Sequence, residues 1–184
     1  MKDLYKLLTL ALAITLFSLS LKAEEIGAWS DRVDGIQGRL IANRVSDFYG
    51  TKMVNVYLEL KNPGAGPIEI SFGDDTLKSR VVDSTESQVI KPTEASMSVF
   101  FPPPQRLILP YDSTLRFRVS VSGYGIPKEA GTAIQMIEGL LLFKSDQKQQ
   151  FFFESSLTSK AKIVDTSVRQ WEGTIKLPKV LIPK

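Results

Sequence analysis

Apolar and polar residues alternate without a break over residues 53–61, and this period of two constrains the fold more than any other feature of the chain. Successive side chains of a β-strand point to opposite faces, so the pattern predicts a strand with one buried and one solvent-facing side. The side chains predicted to be buried are Val54, Val56, Leu58 and Leu60, and those predicted to face solvent are Met53, Asn55, Tyr57, Glu59 and Lys61.

A second alternation, over residues 114–122, predicts another strand with Arg116 and Arg118 on its solvent-facing side. Residues 134–143 fit helical spacing as well as an apolar strand, but Gly139 and the surrounding strands favour a strand. The chain is therefore expected to be all-β. Further strands are predicted at residues 37–43, with Leu40 in the core, and at 78–83, 88–91, 96–101, 151–157 and 174–182.

Glycine and proline separate these strands. Residues 62–67 have the sequence Asn-Pro-Gly-Ala-Gly-Pro, which predicts a turn and, with a strand at 68–72, a β-hairpin. The three prolines at 102–104 cannot lie inside a sheet and predict an extended surface connector. No repeat, heptad pattern or linker divides the chain, so residues 24–184 are expected to form one β-sandwich domain.

The first 23 residues have the organisation of a secretory signal peptide. Two lysines precede an uncharged apolar stretch over residues 7–21, and an acidic pair follows shortly after it. A membrane-spanning helix needs about 20 apolar residues, so removal is favoured over retention as an anchor. Residues 1–23 are expected to direct export to the periplasm or out of the cell, with cleavage after Ala23 or Ser20.

The chain has neither cysteine nor histidine, which excludes several kinds of chemistry. It can form no disulfide, it has no thiolate or histidine catalyst, and it lacks the nitrogen and sulfur ligands that zinc and copper prefer. Residues 1–23 carry three lysines and one aspartate, so the formal charge of +3 for the chain becomes +1 for residues 24–184. A nearly neutral domain lacks a basic nucleic-acid footprint, and no nucleic-acid partner is expected.

Acidic and hydroxyl side chains offer weak candidates for a catalytic or metal site. Asp74 and Asp75, with Asp83 and Glu86 downstream, supply too few ligands for calcium, which takes six to eight oxygens. Serine and lysine pairs such as Ser156 with a lysine four residues later do not match the helix-borne Ser-x-x-Lys motif. We therefore expect no catalytic residue, no cofactor and no metal site.

Aromatic and cationic side chains offer the remaining candidates. Trp29 and Trp171 could stack on a sugar or peptide, but aromatic rings carry large burial area, and each is expected to fill the core or to cover an end of the sandwich. At least one of the three phenylalanines at 151–153 must point away from its neighbours, into an exposed patch or under residues 134–143. The two arginines of the second alternation could bind an anion, but cross-strand pairing with a carboxylate is expected.

Four segments carry a resemblance to known proteins: residues 33–40 (Val-Asp-Gly-Ile-Gln-Gly-Arg-Leu), 58–62 (Leu-Glu-Leu-Lys-Asn), 109–110 (Leu-Pro) and 171–178 (Trp-Glu-Gly-Thr-Ile-Lys-Leu-Pro). With these motifs, most of the chain after residue 23 resembles exported bacterial immunoglobulin-like domain proteins of uncharacterised function. The resemblance implies a single immunoglobulin-like antiparallel β-sandwich and export. It carries over no catalytic or binding residue.

The sequence thus indicates an exported, non-enzymatic binding or accessory module that engages a protein or a cell-envelope component. Its edge strands could accept a partner strand, or its end loops could hold a ligand. Two alternatives remain open: a glycan hydrolase with two carboxylates about 5–10 Å apart, and a protease inhibitor that presents the prolines at 102–104. Membrane contact is expected only through residues 1–23, where these are not cleaved.

Overall fold

The computed structural model describes residues 24–48, 50–72, 76–87, 89–91, 106–120, 131–136, 139–144, 149–160 and 167–184. This part of the chain is all-β, as expected, and none of it forms a helix that could cross a membrane. The strands are β1 (Glu24–Ile26), β2 (Gln37–Phe48), β3 (Thr51–Asn62), β4 (Ile68–Ser71), β5 (Leu77–Asp83), β6 (Val89–Ile90), β7 (Arg106–Leu109), β8 (Ser113–Arg118), β9 (Thr132–Met136), β10 (Gly139–Phe143), β11 (Phe151–Ser159), β12 (Arg169–Gln170) and β13 (Gly173–Leu181).

These strands form three sheets. A six-stranded sheet has the order β1-β2-β3-β9-β10, and β8 pairs with β3 as well. A four-stranded sheet has the order β13-β11-β5-β6, and a three-stranded sheet has the order β12-β4-β7. Most neighbours are antiparallel, but β9 lies parallel to β3 and β12 lies parallel to β4. Strand β3 therefore connects three partners and forms the centre of the largest sheet.

One buried core cluster unites the six-stranded and four-stranded sheets and also includes β4 and β7 of the three-stranded sheet, which gives the chain a sandwich-like character. The four residues predicted to be buried on β3 are each at most 2 % exposed, which confirms that face. Opposite them, β11 and β13 contribute Phe153, Leu157 and Ile175, all fully buried. Burial of each such side chain contributes roughly 1.5–3 kcal/mol to folding.

Most of the other predicted strands are confirmed. Residues 37–43 lie within β2 with Leu40 fully buried, and residues 151–157 and 174–182 match β11 and β13 closely. The second alternation forms β8, which ends at Arg118. The expectations for residues 1–23, 73–75, 96–101, 102–104, 121–122 and 137–138 lie outside the described residues.

The predicted hairpin around residues 62–67 is wrong, although the turn itself is present. Strand β3 pairs with β2, β8 and β9, whereas β4 pairs with β7 and β12 in a different sheet. The buried Asn62 side chain explains the change of sheet: its amide nitrogen lies 2.8 Å from the carbonyl oxygen of Gly66 and 3.2 Å from that of Leu109. Because Asn62 bonds the turn to the end of β7, the chain leaves the first sheet instead of folding back along it.

The strand predicted over residues 134–143 is two strands. Strands β9 and β10 pair antiparallel, with Thr132 opposite Phe143 and Met136 opposite Gly139. Strand was thus the right choice over helix, but the chain reverses within the segment. A polar residue and a glycine, Glu138 and Gly139, interrupt the apolar residues where β9 is followed by β10, and the prediction of a single strand did not treat this break as a turn.

Candidate functional site

The two larger sheets leave an open groove where their outermost described strands, β6 and β10, lie near each other. The groove has a volume of about 430 Å³. Its floor includes Phe143 and Phe151, whose ring centroids are 4.7 Å apart. The residues lining it are Val89, Ile90, Leu142, Phe143, Lys144 and Phe151.

The strands beside this groove have backbone edges that could pair with another strand. Within the described residues, β6 pairs only with β5, and β10 pairs only with β9. Each strand therefore has a second edge with no strand partner in that part of the chain, and such an edge is a template for another strand. Val89 is 43 % exposed beside this edge, so an apolar side chain is available there.

A second cluster lies on the outer face of the six-stranded sheet, where the pairing register places Arg39, Glu59 and Arg116 in one cross-strand row. The Arg39 Nε donates a hydrogen bond to Glu59 Oε2 at 2.7 Å. The Arg39 guanidinium lies 4.5 Å from the centroid of the Trp29 ring. We use the name arginine row for the following residues: Arg39, Glu59, Arg116, Trp29, Tyr57 and Glu24.

The other half of the arginine row repeats this arrangement. The Arg116 guanidinium lies 4.5 Å from the centroid of the Tyr57 ring and forms an ion pair with Glu24. The hydrogen bond to Glu24 raises the pKa of Arg116 above its ordinary value, although partial burial opposes this. Each arginine is thus stacked on an aromatic ring and paired with a carboxylate.

Glu59 corrects one expectation about β3. It was predicted to face solvent, but it is only 9 % exposed, because the neighbouring arginine side chains cover it. On the same side of β3, Met53, Asn55, Tyr57 and Lys61 are half-buried. The outer face of the sheet is therefore a packed layer of polar and aromatic side chains.

The two tryptophans have different environments. Trp171 is 1 % exposed, and its Nε1 donates to the Val33 carbonyl oxygen at 3.1 Å, so the expected core role is confirmed. Trp29 is half-buried on the outer face of the sheet, beside the guanidinium of Arg39. Trp29 therefore lies outside the buried core, and it belongs to the arginine row.

The predicted outward phenylalanine is Phe152, since Phe151 and Phe153 are buried. Its ring is covered by Lys179, whose ammonium lies 5.1 Å from the ring centroid. The pairing of Arg116 with a carboxylate is also present, although its partner, Glu24, lies on β1 and not on the strand next to β8.

Asp83 and Glu86, the described half of the calcium candidate, have separate partners. Asp83 accepts hydrogen bonds from Thr85 and Ser87, and the Glu86 carboxylate lies 3.1 Å from the Lys179 ammonium. Among the described residues, no group of three or more carboxylates could hold a metal ion. Ser156 lies in strand β11, so the helical spacing of a Ser-x-x-Lys nucleophile does not apply to it.

The sequence predicted neither the groove between β6 and β10 nor the arginine row. The alternation placed Glu59 and Arg116 on outward faces, but nothing local indicated that Arg39 would share their row. The groove depends on β6 and β10, which are separated by about 50 positions in the chain and meet only after the sheets have packed.

Comparison with known proteins found no relative. No protein-family model, curated protein or solved structure matches the chain.

Proposed function

We propose that the protein is an exported, non-enzymatic binding module with an immunoglobulin-like sandwich fold, and that it accepts an extended peptide segment of a partner protein. The groove between β6 and β10 carries this proposal. Two strand edges without a described strand partner flank a groove lined by five apolar residues and one lysine, which is an arrangement that strand addition can use.

The dimensions of the groove favour an extended peptide. Alternate side chains of a strand point the same way and are about 6–7 Å apart, so a short segment could place two of them in the groove. A volume of about 430 Å³ accommodates apolar side chains of moderate size. Main-chain hydrogen bonds to one of these strand edges would supply affinity, and the groove beside it would supply selectivity through alternate side chains.

The chemistry of the lining favours binding over catalysis. Five of the six lining residues are apolar and the sixth is Lys144, so the groove presents neither a carboxylate pair nor a hydroxyl nucleophile. Export is supported by the charged start and apolar stretch of residues 1–23. The residues of a protease-inhibitor loop, 102–104, lie outside the described part of the chain.

Titration of the full chain with a synthetic peptide of alternating valine and threonine tests this proposal. We expect binding by the wild type and a loss of about tenfold in affinity for Val89→Glu, because a carboxylate would be placed beside the apolar groove. Ile26→Glu on β1 is the matched control, since Ile26 is 54 % exposed and Val89 is 43 % exposed on their edge strands.

Backbone chemistry provides the second arm of the test. A peptide with the same side chains but N-methylated at alternate positions cannot pair with a strand edge, and we expect it not to bind. Equal binding of the methylated peptide, or an equal loss of affinity in the Val89 and Ile26 variants, would contradict strand addition at this groove.

A further inference from the structure

We infer that the arginine row on the outer face of the six-stranded sheet is a binding site for a carboxylate-bearing glycan. This site lies on the outer face and is independent of the proposed peptide groove. It rests on the arrangement of Arg39, Glu59, Arg116 and Glu24 and of the two rings beside them.

Both guanidinium groups are held in place before a ligand arrives. Arg39 is fixed between the Trp29 ring and the Glu59 carboxylate, and Arg116 is fixed between the Tyr57 ring and a second carboxylate. Arginine loses rotamer entropy when it binds a ligand, and a side chain that is already ordered loses less. The two arginines are therefore preorganised donors.

These arginines retain donor capacity. A guanidinium has five N–H donors. Among the described residues, Arg39 bonds to Glu59 through Nε alone, and its side chain is 26 % exposed. Arg116 bonds to Glu24 through one Nη, and its side chain is 35 % exposed. Each can thus offer further N–H groups to an incoming carboxylate.

The charge of the outer face is complementary to an anion. The pairing register places Lys61 on the same side of the sheet as Arg39 and Arg116, so three cationic side chains accompany the carboxylates of Glu24 and Glu59. Among these described side chains positive charge is in formal surplus, although the domain as a whole is nearly neutral.

Positive and negative side chains alternate along the arginine row, and this order favours a particular class of anionic ligand. Arg39 and Arg116 are two strand spacings apart, about 10 Å, and Glu59 lies between them. A uniformly anionic surface would meet this carboxylate with repulsion. A chain of acidic sugars instead carries carboxylates separated by uncharged hydroxyl groups, so it can bond to both arginines without placing a negative charge over Glu59.

Titration of the full chain with a short galacturonate oligosaccharide tests the inference, with the neutral galactose oligosaccharide as the ligand control. We expect binding of the acidic chain alone, weakened by added salt. Arg39→Gln and Arg116→Gln should each reduce affinity about tenfold. Arg80→Gln is the matched control, because Arg80 also lies on a strand and pairs with a glutamate, Glu154, but on the other sheet.

Thermal melts identify any variant that is unfolded at the titration temperature. For such a position the Lys variant is used, which keeps the charge but loses the planar stack, and we expect a smaller but measurable loss of affinity. Equal binding of the neutral oligosaccharide, an equal loss in Arg80→Gln, or no binding of the acidic one would overturn the inference. Tighter binding of polyglutamate or of anionic lipid vesicles than of the acidic oligosaccharide would also overturn it.

Discussion

At the scale of single residues, two neighbours on β3 have opposite environments. Leu58 is fully buried in the core between the sheets, whereas Glu59 lies under the arginines of the outer face. The period of two predicts this separation, but it does not predict that the outer residue is covered as well.

Leu58→Asp should prevent folding, because an unpaired buried carboxylate costs several kcal/mol against a total stability of about 5–15 kcal/mol. Glu59→Ala should lower the free energy of unfolding by about 1 kcal/mol, since it removes the partner of Arg39. Circular dichroism and urea denaturation measure both effects. Similar losses in the two variants would show that the assignment of faces is wrong.

Glu69 on β4 should make the stability of the protein depend on pH. This residue is 2 % exposed. Arg106 donates to both of its carboxylate oxygens, from Nε at 2.7 Å and from Nη2 at 2.6 Å. These hydrogen bonds lower the pKa of Glu69 below its ordinary value, against the opposing effect of burial. The unfolded chain therefore takes up this proton first as the pH falls.

The ionised Glu69 carboxylate should stabilise the fold fully above the pKa of about 4.3 that glutamate has in the unfolded chain. This stabilisation should be lost as the pH falls through the lower pKa that Glu69 has in the folded protein. Glu69→Gln should remove this component from the pH dependence of unfolding. Arg106→Gln should reverse its sign, because burial without the arginine raises the pKa of a carboxyl group. Urea denaturation at a series of acidic pH values checks both, and unchanged slopes in both variants would refute the assignment.

At the scale of elements, side-chain hydrogen bonds decide where a strand leaves its sheet. Asn62, the last residue of β3, is fully buried. Its Oδ1 accepts a hydrogen bond from the Gly64 backbone at 3.0 Å, while its amide nitrogen contacts carbonyl oxygens in the turn and at the end of β7. One side chain thus joins two sheets.

Asn62→Ala should lower the free energy of unfolding by about 1–3 kcal/mol, because buried carbonyl groups lose their donor. Asn55→Ala is the control on the same strand: Asn55 is half-buried, and its amide oxygen has a longer contact, 3.5 Å, with the Ser120 hydroxyl. Chemical denaturation should give a smaller loss for the control. An equal loss would mean that the hydrogen bonds of Asn62 to the turn and to β7 add no particular stability.

At the scale of the whole molecule, packing of the two larger sheets depends on a glycine. A Cβ atom added to Gly38 on β2 would lie 2.6 Å from Leu177 Cδ2 and 3.3 Å from Leu60 Cδ2. Leu177 belongs to β13 in the opposite sheet. Absence of a side chain at Gly38 therefore permits the close approach of β2 and β13.

Gly38→Ala should destabilise the protein by about 1–3 kcal/mol through overpacking. In a Leu177→Ala background the same change should cost less, because the clashing methyl group is absent, and a double-mutant cycle measures this coupling. Gly66→Ala is the control, since nothing lies within 4 Å of a Cβ at that position. Additive effects of the Gly38 and Leu177 changes would contradict this packing.

The sequence by itself determined that the described chain is all-β, which residues of β3 and β8 face the core, and where most strands lie. It could do so because alternation is a local property, set by the direction of successive side chains. Only the tertiary structure decided that β4 leaves the sheet of β3, that residues 134–143 contain a reversal, and that Arg39 shares a row with Glu59 and Arg116. Pairing partners and register depend on contacts between residues distant in the chain, and no local pattern encodes those contacts.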